Sequence, residues 1–245
     1  MRTCYSLKPQ LNVVVAYICV THGSRSDTHA ARFTSTYLEN PSEYPHRLII
    51  VCNGGSLSPA LKNNFNGLNC EFYIRDNNDG KDISAFQEIA KKVSCDFLIC
   101  LGESITIRGP NWIDRMMQSR LRMGPGMYGF FSSHMVRAHL NTTAFAIDPD
   151  LLVRYPPVDT NAKRYDFEHG AGCLWQRVYK SNLATVFVTW DGDWLPGHWR
   201  DAKNILSSGD QSNLLVWSHH CDEFSMANEP TKSLWRDQSN LPFHF

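Results

Sequence analysis

Neither sign of charge is in excess in this chain. Lysine and arginine number 24, aspartate and glutamate 24, over 245 residues, so the formal charge is zero. With no basic surplus to neutralise a phosphate backbone, nucleic-acid binding is not expected. No block of like charges marks a tail or a polybasic membrane patch. Long apolar runs are missing too. The strongest near the N-terminus, Val13 to Val20, is far too short to span a bilayer, and Met1-Arg2-Thr3 lacks the flanks of a signal peptide. The eight cysteines (4, 19, 52, 70, 95, 100, 173 and 221) include no Cys-x-x-Cys pair. Several sit in apolar runs such as Tyr17-Ile18-Cys19-Val20, where cysteine serves as a small core residue. Reduced thiols in a cytoplasm are therefore expected. Also absent are Gly-x-Gly-x-x-Gly, Gly-x-x-x-x-Gly-Lys-Ser/Thr and Gly-x-Ser-x-Gly, which weakens dehydrogenases, phosphate-loop NTPases and α/β-hydrolases.

What is present is a regular alternation. Leu11 to Val20 reads as a strand buried on both faces, closed by Thr21-His22-Gly23-Ser24. Asp27 is placed to cap a helix from about Thr28. Further strands follow at Arg47 to Cys52, ending in Asn53-Gly54-Gly55; at Glu71 to Arg75, ending in Asp76-Asn77-Asn78-Asp79-Gly80; and at Asp96 to Leu101, ending in Gly102-Glu103-Ser104. Helices are expected at about Ser58 to Asn64 and Asp82 to Val93. Strand, loop and helix in repeated succession predict a parallel sheet with helices on both faces, whose C-terminal strand edge binds ligand. The second half predicts helices at Trp112 to Leu121 and Glu168 to Tyr179. Its strands are expected at Met127 to Phe131, Thr142 to Ile147 and Ala184 to Trp190. With no linker or repeat, the economical reading is one domain over 1–245. It would have a nucleotide-binding half at about 11–104, an acceptor half at about 105–220 and an irregular segment at 221–245.

The residues from Asp76 to Arg115 carry a family resemblance. Asn78-Asp79-Gly80-Lys81-Asp82-Ile83-Ser84-Ala85-Phe86 opens a helix, Cys95-Asp96-Phe97-Leu98-Ile99-Cys100-Leu101-Gly102-Glu103 follows, and then Trp112-Ile113. This order resembles a family-2-type glycosyltransferase of the GT-A (nucleotide-diphospho-sugar transferase) fold, with a degenerate Asp-x-Asp motif. A second match, Phe167-Glu168-His169-Gly170 through Leu174 and Arg177, is similar to the helix start that carries the base in inverting members. In element order the resemblance covers Val13 to Tyr179. It implies an α/β fold with a mixed, mostly parallel sheet, a nucleotide-diphosphate sugar donor, and a hydroxyl acceptor on a glycan or glycoconjugate.

Such chemistry needs a nucleotide site, neutralisation of a diphosphate and a general base. Thr21, His22, Gly23, Asn53 and Gly54 offer hydroxyl, imidazole and backbone groups to a base and ribose. Asp76 can accept from a base N–H, Gly80 permits close backbone approach, and Lys81 can pair with phosphate. Asp82 is either a helix cap or a ribose contact, and Gly102 completes the edge. Where the resemblance implies two carboxylates for Mn²⁺ or Mg²⁺, this chain has only Glu103. A single carboxylate with waters can still hold Mg²⁺, and His219 or His220 would suit Mn²⁺. The other reading is a metal-free site that uses Lys81 or Arg108. Glu168 and His169 are the base candidates, Glu168 at a helix start whose dipole favours the carboxylate. His139 is placed to reach the acceptor, although a lone histidine is more often structural.

The two true Asp-x-Asp strings read as a helix start (Asp148-Pro149-Asp150) and a hairpin turn (Asp191-Gly192-Asp193). Trp112, Trp175 and Trp190 read as core. Two alternatives to an inverting glycosyltransferase stay open. One is a catalytically silent module that binds a sugar or a partner; the other is a different nucleotide-dependent α/β transferase.

Overall fold

A parallel core forms where the sequence is richest in β-branched residues. The computed structural model describes residues 10–239, so readings that involve Met1 to Cys4 or 240–245 lie outside the described residues. Strands β1 (Val13–Val20), β2 (His46–Asn53), β3 (Cys70–Arg75) and β4 (Phe97–Leu101) run parallel in the spatial order β3-β2-β1-β4. Residues 13–19 are all at most 2% exposed, as a strand covered on both faces requires. Between the strands lie α1 (Ser26–Glu39), α2 (Pro59–Asn63) and α3 (Lys81–Lys92). Two of these helices start differently from expectation. Arg25, not Asp27, is the N-cap of α1, and Asp27 accepts from Asn64 instead (3.0 Å). Gly80, in a left-handed conformation, is the N-cap of α3, so Asp82 sits in the first turn and does not cap.

The second half adds β5 (Thr106–Ile107), α4 (Trp112–Met123), β6 (Gly126–Gly129), β7 (Ser132–Ser133), β8 (His139–Leu140) and β9 (Ala144–Ile147). It continues through α5 (Pro149–Arg154), α6 (Asn161–His169), α7 (Leu174–Lys180), β10 (Ala184–Val188), β11 (Asp193–Trp194) and β12 (Val216–Trp217). The large sheet is completed in the order β4-β9-β6-β10-β11. Here β9 runs antiparallel to both neighbours and β11 antiparallel to β10, which makes the sheet mixed but mostly parallel. Two-residue pairs β5–β12 and β7–β8 stand outside it.

Helices cover both faces. On one, Tyr17 of β1 stacks on Phe33 of α1 (centroids 3.8 Å apart) and meets Phe65 edge-on. On the other, Phe145 of β9 packs edge-on against Phe86 of α3 (5.8 Å) and also meets Phe167 of α6 (6.5 Å). This is the α/β architecture expected from the alternation.

Two expectations fail. The helix expected over Glu168 to Tyr179 is two helices, α6 and α7, broken at Gly170 to Cys173, with Gly172 at φ +77°. The segment after Cys221 is not irregular: α8 (His219–Met226) and α9 (Glu229–Ser239) occupy its described part. Both sequences are polar; α8 buries Cys221 and Phe224, while the described side chains of α9 are buried only at Ser239.

The loop before α6 is fastened to α3 by one buried side chain. Gln87 donates its amide to the carbonyls of Leu152 (3.4 Å), Tyr155 (3.2 Å) and Pro156 (3.1 Å) and accepts from the Val158 N–H (3.0 Å). Gly80 makes the same junction tight. A Cβ there would stand 1.8 Å from the Val158 carbonyl oxygen, and φ is +64°. Gly80→Ala is therefore expected to destabilise the fold by about 1–3 kcal/mol, from left-handed strain with a backbone clash. Urea unfolding with an unchanged midpoint would contradict this junction.

Candidate functional site

The C-terminal ends of β1 to β4 meet at one sheet edge, where Asn53, Asn78, Lys81, Asp82, Glu103 and Arg164, with Ile18 and Val20, line a cleft of about 280 Å³. Its shape is set by Arg75, the last residue of β3, which is 7% exposed. The guanidinium donates to Asn53 Oδ1 (2.6 Å), the carbonyls of Asn77 (3.2 Å) and Asp79 (3.1 Å), Ser84 Oγ (2.7 Å) and Glu88 Oε2 (3.0 Å). Its own carbonyl accepts from Gly54 N–H (2.9 Å) and Gly55 N–H (2.8 Å), with Gly54 at φ +107°. With Oδ1 engaged by Arg75, Asn53 donates its Nδ2 to Asn78 Oδ1 (2.5 Å). The polar exits of two strands are thus held in one orientation by a single buried cation.

Of the residues expected to meet a nucleotide, Asn53, Lys81 and Asp82 line this cleft, as does Glu103. Thr21 is buried with no hydrogen-bond partner for Oγ1, which lies 3.1 Å from where a Gly54 Cβ would stand. His22 borders Gly54, and Gly23 borders Ser26 and Glu103. Asp76 is exposed and does not line the cleft; Asn78 stands there instead. Gly80 serves the packing against Val158. Gly102 serves the sheet, since its N–H donates to the Thr143 carbonyl (2.8 Å) and a Cβ would stand 2.9 Å from that oxygen.

Glu103 is positioned from below and from the side. Tyr17 donates its buried hydroxyl to the Glu103 carbonyl (2.6 Å), and Ser26 donates to Glu103 Oε1 (2.7 Å). The next residue, Ser104, hydrogen-bonds His219 Nδ1 through its hydroxyl (2.7 Å), so the N-terminus of α8 is tied to the acidic loop. His219, His220 and Glu223 hold ligand atoms within 4.8 Å of one another. Burial lowers the His219 imidazole, with the neighbouring His220 acting in the same direction.

A second cleft, of about 340 Å³, has His139, Glu168 and His169 on one wall and His220 and Glu223 among its other lining residues. Arg164 lines both clefts. It clamps Asp82 of the first through Nε–Oδ1 (2.8 Å) and Nη2–Oδ2 (3.3 Å), and stands one helical turn before Glu168 on α6. Glu168 is thus the penultimate residue of a helix and not its first, so it does not stand at a helix start. The Thr142 N–H donates to Glu168 Oε1 (2.8 Å). His139 Nε2 lies 3.6 Å from Oε1, and His169 Nε2 lies 3.6 Å from Oε2. The rings of His139 and His169 meet edge-to-face at 4.4 Å. Burial pushes the His139 imidazole down to about 4 and also lowers that of His169.

The sequence reading passed over Arg164 altogether and set His139 aside as a lone histidine. A usable signal existed. Thr160 caps α6 by accepting from the Lys163 N–H (3.2 Å), and a helix started there puts Arg164 and Glu168 four residues apart on one face.

One acid of each Asp-x-Asp string is engaged in contacts within the fold. Asp148 precedes α5 but binds Arg120 (2.6 Å) and the Gly126 N–H (2.6 Å) in place of capping. Asp193 starts β11 of a hairpin with β10, where Arg115, Arg122 and Ser119 hold it. Trp112 and Trp175 are buried in the core, whereas Trp190 is half-buried against Gly109.

No protein-family model matches the sequence, and no curated protein matches it significantly. Among solved structures, the chain is similar to a mannosyltransferase from Pyrobaculum calidifontis in complex with GDP-Man and Mn²⁺. Identity is 9%, coverage 62% of this chain and 50% of that one, and TM-score 0.46. It is also similar to S. aureus TarS in complex with UDP-GlcNAc (11%, 58% and 46%, 0.44) and to a cytidylyltransferase from Leptospira borgpetersenii (10%, 64% and 70%, 0.45). The chain thus spans half the length of the mannosyltransferase and less than half of that TarS chain. At these identities and TM-scores the likeness assigns neither a family nor an activity.

The Asp82–Arg164 pair is the link between the clefts, and it is partly screened, at 14% and 33% side-chain exposure. A double-mutant cycle with Asp82→Asn and Arg164→Met is expected to show a coupling of about 0.5–3 kcal/mol in unfolding free energy. Additive effects would mean that the pair does not join α3 to α6.

Proposed function

We propose that this chain is a nucleotide-sugar-dependent glycosyltransferase of the GT-A type, moving a sugar to a hydroxyl acceptor with inversion. One observation carries the reading. The cleft at the parallel-strand edge, lined by amides, a lysine and acids, adjoins through Arg164 a second cleft whose wall holds a carboxylate between two imidazoles. A donor's nucleotide fits the first and an acceptor hydroxyl the second, with the reacting carbon between them.

The roles follow from the groups available. Asn53 and Asn78 present side-chain amides suited to a base or ribose. Lys81, whose side chain has no hydrogen-bond or ion-pair partner among the described residues, supplies charge for phosphate. Glu103, whose Oε1 is held by Ser26, and His219, whose Nδ1 is held by Ser104, keep Oε2 and Nε2 as donors. One carboxylate and one imidazole suit Mn²⁺ better than Mg²⁺. When bound, the ion would neutralise the diphosphate.

Glu168 is the base. Its Oε1 is engaged by the Thr142 N–H, so Oε2 is the atom that accepts the acceptor's proton, with His169 beside it to orient the carboxylate. The acceptor is a glycan or glycoconjugate, and the work is cytoplasmic. That location accords with seven free cysteines among the described residues and with no described helix long and apolar enough to cross a membrane.

Thermal melting with UDP, GDP, dTDP and CMP, each with and without Mn²⁺, should show stabilisation by the cognate nucleotide. Glu168→Gln should then cut transfer by about 10²–10⁴-fold while nucleotide affinity stays the same. No stabilisation by any nucleotide, or wild-type transfer by the mutant, would sink the reading.

A further inference from the structure

Two imidazoles and a carboxylate converge on one point in the second cleft, yet neither imidazole bonds the carboxylate. The His139 Nε2–Glu168 Oε1 and His169 Nε2–Glu168 Oε2 separations are both 3.6 Å, beyond a hydrogen bond, and the three residues' ligand atoms lie within 4.8 Å of one another. Zinc bonds of about 2.0–2.1 Å at tetrahedral angles place ligand atoms roughly 3.4 Å apart. The nitrogen–oxygen separations therefore need to close by only a small adjustment.

The geometry points to a three-ligand site for a zinc-like divalent ion, built from His139, Glu168 and His169, with its fourth position open to the second cleft. Two of the ligands already have the outer hydrogen bonds that metal ligands use. His139 Nδ1–H donates to the Arg137 carbonyl (2.8 Å), which leaves Nε2 as the free lone pair of the neutral ring. Glu168 Oε1 accepts from the Thr142 N–H (2.8 Å). His169 has no such partner; its ring is held by the edge of His139 and by Tyr165 at 4.9 Å. The donor set, two nitrogens and one oxygen, selects a borderline ion over magnesium. Arg164, the half-buried cation nearest along α6, has its charge met by Asp82. The neighbouring group of His219, His220 and Glu223 is the weaker candidate, since the His220 and Glu223 side chains are 40% and 58% exposed.

This site shares no residue with the Glu103 and His219 pair, and its existence does not depend on the donor. Its consequence does rest on the glycosyltransferase reading: an ion on Glu168 removes the proposed base, so zinc would oppose transfer. The test uses the full chain, stripped with chelator and free of nucleotide and acceptor. Wild-type protein should retain zinc through dialysis, and cobalt(II) should give the visible d–d absorption of a four-coordinate site. Glu168→Gln and His169→Gln should each weaken zinc binding by at least about tenfold, while His220→Gln leaves it unchanged. If Glu168→Gln does not fold, His169→Gln decides by the same measure. Absence of zinc retention and cobalt bands, or loss in His220→Gln with none in His169→Gln, would overturn the site. Zinc binding with undiminished transfer would leave the site standing and overturn the assignment of Glu168 as base.

Discussion

Arg75 closes β3 with its guanidinium buried at the edge of the sheet, and a buried cation must find partners for all its N–H groups or forfeit the fold. It finds them in the side chains of Asn53, Ser84 and Glu88 and in the carbonyls of Asn77 and Asp79. These belong to the end of β2, the loop after β3 and the body of α3. The demand of one side chain therefore fixes the relative positions of two strand exits and a helix start. Everything that lines the first cleft on that side, including Asn78 and Lys81, inherits its place from this arrangement.

From there the constraint passes to α6. Gln87 and Gly80 press the 152–158 loop against α3, and the Asp82–Arg164 pair fastens α6 to the first turn of α3. Arg164 and Glu168, four residues apart, project from the same side of that helix. A displacement of α3 would thus be felt at Glu168, which couples the first cleft to the carboxylate through rigid elements and not through a loop. The base proposed above depends on such fixing, because small errors in placement cost large factors in rate.

Glu103 shows how the same region manages an acid with few partners. Its backbone is anchored by the Tyr17 hydroxyl and its side chain by Ser26, so the carboxylate stays at the cleft without an ion-pair partner among the described residues. The Ser104–His219 bond then brings the start of α8 to that loop, 115 positions away in sequence. Residues from the far end of the chain thereby stand beside the strand exits of the first half.

Three of the four parallel strands, β1, β2 and β4, were legible as apolar runs closed by polar exits, because burial on both faces writes that pattern into the residues. The edge strand β3 was legible instead from its aromatic and β-branched residues before the Asp-Asn-rich turn, with Phe72 and Ile74 left exposed. Asn53, Lys81, Asp82 and Glu103 followed from those exits. The two-residue strands β5, β7, β8, β11 and β12 were not legible, since no period can be read from two residues. The break at Gly170 to Cys173 was hidden inside a run that scans as one helix, and this displaced Glu168 from a helix end to the wrong helix start. What only the tertiary structure decided was company. Arg75 with Asn53, Arg164 with Asp82, and His139 with Glu168 are pairs separated by 22, 82 and 29 positions. Local propensity carries no information about such meetings, because they depend on which helix packs on which face of the sheet.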